Sequence, residues 1–469
     1  MYELKMKIYD SMPIQIQNLA TSMEGYRKNK KRFGGSYQEQ LVEIENRNYS
    51  DRKVVAARQA ESMKKIIQHA VQHSPFYKEF YRGIDLISIQ TVEDLKRLPV
   101  LEKEMVRKNL DKMYTISEDK AVVALTSGTS GTPLKILFDK EDVQQRFAFL
   151  NFFKKQHGVI PMKMKQATFS SFRFIPKDQK ARVYWRDNVT IKQRLYSTYF
   201  CHASTAGDFA RNLNKYQPGF IDGIPSAIYE VSKWINENNY KLSFTPAAIF
   251  TTGETLYPYY REEIERAFGC PVRDQYASSE GAPFIAECTN GKLHYNMDTG
   301  IIETAPDGTM LVTCFHSRGT PLIRYAIGDS CEIDNTEQAC SCGSAHPVVL
   351  KLKGRTDEYL LNREGRKFTS LYLSMISEKY LNIVRKMQFI QHDIDTIEAL
   401  IEVKEGATSA VSKAVEQELA YMLGDSMNVT IRLVDKIPMH RNGKYRLIIN
   451  HLKNSSINEN MQMNAVDFK

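Results

Sequence analysis

Hydrophobic and polar positions change their period several times along the chain, and the changes mark its elements. Met12, Ile14, Ile16, Leu19 and Met23 stand among polar neighbours, and the basic run YRKNKKRF, Tyr26 to Phe33, follows at once. Two readings fit this basic amphipathic segment. It lies on a membrane surface, or it docks as a helix on the main domain with a solvated end; the second is preferred. ESMKKIIQHAVQHSPFYKEFY, Glu61 to Tyr81, reads as a helix that Ser74-Pro75 stops, because proline lacks a backbone donor. AVVALTSG is a short apolar strand entering a glycine loop, and AAIFTTGE, Ala247 to Glu254, again runs a strand into glycine. SAIYEVSKWINENN between them has helical spacing.

Strands and helices alternate in this way to about residue 300, which predicts α/β layers. From about residue 355 the texture changes. Met387–Gly406 looks like paired strands, Ala410–Leu423 like a helix, and NVTIRLVDKI, Asn428 to Ile437, like a last strand. The expected architecture is therefore α/β: a large N-terminal domain of layered sheets and helices, residues 1–354, and a small mobile C-terminal α+β domain, residues 355–469, joined at KGRTDEYL. Residues 1–60 form a helical N-terminal extension, and the Asn- and Met-rich tail after Leu452 is expected to fray.

A length of 469 residues fits two to four domains. Hydrophobic residues at 42% and charged residues at 25% are globular values, which excludes disorder over the whole length. No run approaches the ~18 consecutive apolar residues of a membrane span, and MYELKMKIYDSM lacks a signal-peptide core. Seven cysteines without a disulfide framework point to a reducing cytoplasm. The balance of 64 Lys and Arg against 55 Asp and Glu, a net charge of +9, suits anionic ligands. It does not call for nucleic acid, because the basic residues are scattered.

The chemistry starts at LTSGTSGTPLKI, Leu125 to Ile136. No Gly-Lys-Ser/Thr triplet closes it, so it is not a Walker A loop. Gly128 and Gly131 nevertheless let backbone amides turn inward, hydroxyls of Thr126, Ser127, Thr129, Ser130 and Thr132 add donors, and Lys135 adds a cation. A plain turn is the competing reading. Five further segments follow: TTGE (Thr251 to Glu254), QYASSEG (Gln275 to Gly281), IRYAIGDS (Ile323 to Ser330), KGRTDEY (Lys353 to Tyr359) and PMHRNGK (Pro438 to Lys444).

In this order and spacing the segments resemble the adenylate-forming superfamily of acyl-CoA synthetases, peptide-synthetase adenylation domains and luciferases. The resemblance spans roughly residues 120 to 446. YASSEG with CSCG, and HSPFYKEFY, are similar to the phenylacetate–CoA ligase family. The N-terminal MPIQIQNLATSMEGYRKNKKRFGG is similar to its CapK-type branch, associated with surface-polysaccharide synthesis. The resemblance implies a ligase that adenylates a carboxylic acid with ATP and Mg²⁺, releases pyrophosphate, and passes the acyl group to CoA, or alternatively to a pantetheinyl carrier protein or an amine. It assigns the loop Thr126–Lys135 to the β,γ-phosphates, Glu280 to Mg²⁺, Ser279 to the α-phosphate, and Tyr276 to adenine beside Gly253 and Glu254. Asp329 takes the ribose hydroxyls with Arg355 in support, Lys444 bridges carboxylate and α-phosphate, and Asp357 is the hinge. Two departures stand out. Arg446 follows Lys444 by two residues where relatives have three, and EYLLNREGRKFTS is more polar than the run expected after the hinge.

The acyl pocket implied by the same resemblance is lined from Ser170–Phe174, Gly223–Tyr229 with Ser226, and the residues around Ala277 and Ser278. Arg173 either pairs with a polar substituent or is a surface charge. Soft thiolates with an imidazole suit tetrahedral zinc, and some relatives carry zinc at equivalent positions. Cys288, His294, Cys340 and Cys342 are the expected set, with His346 and Cys331 in reserve; free buried thiols are the alternative. Cys201, Cys270 and Cys314 are read as plain buried thiols, and His69, His73, His157 and His202 receive no role. The competing classes are a zinc-containing nucleic-acid-binding protein and an inactive adenylate-fold scaffold. The second is disfavoured because Lys444 and Glu280 are both present.

Overall fold

The computed structural model describes residues 8–125, 134–176, 179–305, 308–334, 336, 340–355, 358–363, 367–380, 382–404, 410–423, 427–438 and 445–452. The chain divides into two compact units, residues 1–327 with 331–352, and residues 328–330 with 353–469.

The large unit is built on a twelve-stranded sheet. At one end its strands run in the order Ile285–Glu287, Val272–Tyr276, Ile249–Thr251, Phe220–Gly223, Gln166–Ser170, Gln193–Ser197 and Trp185–Asn188. From Val272–Tyr276 through Gln193–Ser197 the pairings are parallel. Phe220–Gly223 and Ile249–Thr251 are buried throughout, as central parallel strands must be when helices cover both faces. Phe153 of the helix Lys140–Gln156 packs against Phe220 and Phe250, and the helices Ala206–Tyr216, Pro225–Glu237 and Pro258–Phe268 lie side by side in one layer. The last two carry proline in the first turn, where no amide partner is lost. Register sets Phe169 opposite Gly223, Gly223 opposite Thr251, and Thr251 opposite Asp274. The chain thus leaves four adjacent strands at one edge of the sheet.

The rest of the sheet, including Gly300–Thr304, Thr309–Cys314 and Leu293–Tyr295, packs on the helix Arg52–His73. That helix starts on Asp51, whose side chain accepts from the amides of Lys53 and Val54. It buries Val55, Gln59, Met63, Ile66, Ile67 and Ala70, one face at a 3.6-residue period. It begins well before Glu61, and Ser74 both ends it and caps the next helix, Pro75–Phe80, by accepting from the Tyr77 amide.

The N-terminal helix is Ile14–Phe33, docked on the edge strand Trp185–Asn188. It docks through its polar face and not its apolar one. The buried positions are Gln17 and Ser22, while Ile16, Leu19 and Met23 are exposed. The reason is polar: Arg186 is fully buried, and its Nε donates to Gln17 Oε1 at 2.7 Å.

In the small unit a four-stranded sheet runs Asn428–Val434, Thr396–Val403, Val384–Gln391 and Ile448–Asn450. Val384–Gln391 and Thr396–Val403 form the expected hairpin, and Ala410–Leu423 buries Val411, Val415, Leu419 and Leu423. Asn428–Val434 is not the last strand: Ile448–Asn450 adds in parallel beside Val384–Gln391. The segment after Leu452, expected to fray, lies outside the described residues, as do Asp357 and Lys444.

Gln17→Ala should leave the Arg186 guanidinium short of an acceptor inside the protein and cost roughly 1–3 kcal/mol. The expected readout is faster tryptic cleavage within Arg27–Arg32 together with a lower melting temperature. Unchanged cleavage would mean that the polar seam does not hold the helix.

Candidate active site

The segments singled out by sequence leave the sheet at the row just described. SSFRF begins at Ser170, GIPSAIY at Gly223, TTGE at Thr251, and QYASSEG one residue beyond Asp274. Parallel strands place their following loops at one edge, where α/β sheets open their ligand crevices. Glu254 reaches back to the first turn of Pro225–Glu237, where its Oε2 accepts from the Ser226 amide at 3.3 Å. Ser226 is buried, and its own hydroxyl has no hydrogen-bond partner in the protein.

Beyond Tyr276 the chain turns through Ser278 to Gly281. The Gly281 amide donates to the Ser278 carbonyl at 3.2 Å, and the Ala282 amide to Ser278 Oγ at 3.2 Å. Glu280 is buried within the turn, whereas Ala277 and Ser279 are exposed. Arg146 supports the turn from the helix Lys140–Gln156. Its Nη2 donates to the Ser278 carbonyl at 3.0 Å, and its guanidinium lies 5.1 Å from the Phe138 ring centre. Burial pushes the Arg146 pKa down while Cys314, Asp142 and Glu280 oppose the shift; a guanidinium stays charged even so.

A cavity of about 230 Å³ adjoins this turn, lined by Arg146, Phe149, Gln275, Ala277, Phe284 and His316 among others. It is mostly apolar, through Phe147, Phe149, Leu150 and Phe284, with polar groups from Thr252, Gln275 and Thr299. His316 is neutral there, because burial pushes its pKa down to about 3. Gln275 Oε1 is buried without a hydrogen-bond partner in the protein. Arg173 is not among the residues lining this cavity, and it forms an ion pair with Asp10 of the N-terminal segment. Arg146, which does line it, passed unnoticed in the sequence. The available signal was helical spacing, since Arg146, Phe149, Leu150 and Phe153 share one face of their helix.

The glycine loop closes a hairpin. Val122–Leu125 pairs antiparallel with Lys135–Phe138, so Leu125 and Lys135 face each other across its base. Lys135 Nζ binds Glu118 at 2.7 Å, and that bond raises its pKa. Residues Thr126 to Thr132 lie outside the described residues. Gly253 follows the strand Ile249–Thr251, half-buried Asp329 lies on the strand Tyr325–Ile333, and Arg355 ends the strand Val348–Arg355.

Cys288, His294, Cys340 and Cys342 converge, each offering one atom within 4.8 Å of the others. The order comes from local folding. Cys288 opens the turn between the strands Ile285–Glu287 and Leu293–Tyr295, and the second strand carries His294 opposite Ala286. His294 Nδ1 lies 2.8 Å from the His346 carbonyl, which only accepts, so Nδ1 holds the proton and Nε2 is the free donor atom. Cys342 Sγ is 3.5 Å from that Nε2. Burial pushes the Cys342 thiol up to about 12. The reserve residues stay out of the group: His346 contributes its carbonyl and Cys331 is buried in the main core. A cavity of about 390 Å³ lies beside the group, lined by Tyr49, Phe152, Phe153 and Phe284, and also by Cys288, His294 and Cys342. Cys201, Cys270 and Cys314 are buried, reduced cysteines.

Comparison with known proteins agrees with this architecture. Residues 360–451 match the CapK C-terminal domain family. The chain is 34% identical over 452 residues to protein CapK of Staphylococcus aureus, covering 95% of this chain and 99% of that one. It is 20% identical over 451 residues to the phenylacetate-coenzyme A ligase of Thermus thermophilus, covering 85% and 97%. A 2-hydroxyisobutyryl-CoA ligase, solved in the postadenylation state with R3-HIB-AMP, superposes with a TM-score of 0.66 at 17% identity, covering 88% and 92%. The chain belongs to the CapK family, and its fold is that of the CoA ligase with which it superposes.

Gly281 has a φ of +91°, and a Cβ there would lie 2.7 Å from Arg146 Nη1. Gly281→Ala should therefore cost roughly 1–3 kcal/mol and push Arg146 off the Ser278 carbonyl. A lower melting temperature, partly restored by Arg146→Ala in the same chain, is the expected outcome; no change in melting would contradict this packing.

Proposed function

We propose that this chain activates a carboxylic acid with ATP and passes the acyl group to the thiol of CoA. The observation that carries the reading is the register row Phe169–Gly223–Thr251–Asp274, which gathers the candidate loops beside the Arg146-backed turn and its cavity. In the first step a carboxylate oxygen attacks the α-phosphorus of ATP. A phosphorus–oxygen bond forms to the acid, the bond to the bridging oxygen breaks, and pyrophosphate leaves. In the second step the thiol sulfur, having lost its proton, attacks the acyl carbon and AMP leaves with both electrons of the carbon–oxygen bond.

Both steps involve dense negative charge, so catalysis rests on positioned donors and cations. In this reading the loop Thr126–Thr132 with Lys135 holds the terminal phosphates, which then compete with Glu118 for Lys135. Ser279 meets the α-phosphate, and Glu280 carries Mg²⁺. Tyr276 lies along adenine beside Gly253 and Glu254, and Asp329 accepts from the ribose hydroxyls next to Arg355. Ala277 and Ser278 edge the acyl pocket with Ser226 behind them, and Arg146 keeps the turn in place. Lys444 is brought up by the small domain, 355–469, turning at Asp357. In this reading the chain serves surface-polysaccharide synthesis, as the resemblance to the CapK-type branch implies, within the cytoplasm where ATP and CoA are supplied.

The Cys288, His294, Cys340 and Cys342 group fits zinc. Three soft thiol ligands suit a closed tetrahedral site, together with an imidazole whose Nε2 is left free because the His346 carbonyl holds its Nδ1 proton. Bound zinc supplies a structural cross-link there, tying the 288–294 hairpin to the 340–342 segment.

Two outcomes follow. Lys444→Ala should abolish acid-dependent exchange of labelled pyrophosphate into ATP, screened over a panel of acids. It should still convert supplied acyl-AMP and CoA to thioester. Equal loss of both half-reactions in folded protein would remove Lys444 from the adenylation step, and a pantetheinyl carrier replacing CoA would change the acceptor. Protein purified without added metal should contain about one zinc per chain, and Cys342→Ser should lose the metal and melt at lower temperature. Well-folded, metal-free wild-type protein would return these residues to the class of buried thiols.

A further inference from the structure

The helix Ile14–Phe33 is amphipathic in the reverse of the usual sense. Its inner face is polar and is held to the edge of the sheet by hydrogen bonds. Asn18 Oδ1 accepts from the Asp187 amide at 3.0 Å. Ser22 Oγ donates to the Asp187 carbonyl at 3.1 Å and accepts from the Val189 amide at 3.2 Å. Asn29 Nδ2 donates to Thr190 Oγ1 at 2.9 Å, and Gln17 meets Arg186. The fit is close, for a Cβ on Gly25 would fall 2.4 Å from Asn188 Oδ1.

The outer face carries the apolar residues. Ile16 is 45% exposed, Leu19 58%, Met23 55% and Tyr26 60%. At ~100° per residue these four fall within an arc of about 120°. They form one stripe, not the scattered apolar residues that any surface shows. Exposed Arg27 and Lys30 lie in the same arc, and exposed Lys31 lies at its edge. Glu24 is the helix's one acid, and it is 3.5 Å from Lys28. No helix among the described residues is long and apolar enough to cross a membrane.

We propose that this outer face binds the surface of an anionic bilayer, with the helix lying in the plane of the interface. Apolar area and cations mixed on one face suit this occupant. Ile16, Leu19, Met23 and Tyr26 enter the acyl boundary, and the lysine stems lie along it while their ammonium groups reach lipid phosphates. A protein partner fits less well, since lysine is depleted from the cores of protein interfaces. A second copy of this chain would set like charges together with one glutamate to answer five cations between Arg27 and Arg32. The polar seam on Arg186 and Asp187 leaves the stripe free to meet lipid without unfolding or undocking the helix. The enzyme is thereby carried on the membrane and does not span it.

The test is co-sedimentation of the full chain with vesicles of phosphatidylcholine, with and without phosphatidylglycerol. Wild-type protein should bind only the anionic vesicles, and less as salt rises. Leu19→Glu with Met23→Glu should weaken binding about tenfold or more. Arg27→Glu, Lys30→Glu and Lys31→Glu together should weaken it about a hundredfold. All five side chains are exposed, so circular dichroism and melting should stay at wild-type values, separating loss of binding from loss of fold. No binding of folded wild-type protein to anionic vesicles overturns the proposal. So does wild-type binding by the Leu19/Met23 variant. So does a wild-type dimer that this variant converts to monomer while neither form binds vesicles, which would make the stripe a contact between copies.

Discussion

The site depends on one constraint, the register of four parallel strands. Phe169, Gly223, Thr251 and Asp274 stand side by side, so the segments that follow must emerge together. None of those segments is distinctive alone. Their meaning comes from the sheet, which turns separation in sequence into adjacency. A shift of one residue in any pairing would reverse the faces of a strand and move its loop. Wholly buried central strands and the helices that cover them hold that register.

A second layer of order comes from polar groups whose partners are chosen by geometry. Arg146 meets the Ser278 carbonyl and the face of Phe138, and so positions a turn that contains buried Glu280. His294 commits one nitrogen to the His346 carbonyl and offers the other to the thiols. Arg186 draws Gln17 inward and thereby turns the apolar stripe of the N-terminal helix outward. Buried polar groups demand partners, and here those demands decide which faces remain for ligands, metal and surroundings.

These demands also explain what was legible in the sequence. Strand-into-glycine segments such as AAIFTTGE, the hairpin in Val384–Val403 and the Cys–His set are local patterns, and the structure contains each of them. Ile448–Asn450 has too short an apolar run to stand out, and its strand exists because Val384–Gln391 offers an open edge. The inverted N-terminal helix was hidden because hydrophobic periodicity reveals an apolar face without saying which way it points; the deciding residue, Arg186, is 169 positions from Gln17. Arg146 was hidden for a similar reason, since the Ser278 carbonyl that it meets is 132 positions away.

The proposed activity requires that a carboxylate of the substrate attack the α-phosphorus of ATP. It is tested most directly with an acid that supports pyrophosphate exchange, labelled with oxygen-18 in its carboxylate and turned over with ATP and CoA. Mass spectrometry of the products should find one labelled oxygen in AMP, carried over when the thioester forms. Label in inorganic phosphate, with ADP as the nucleotide product, would show attack at the γ-phosphorus and contradict the account.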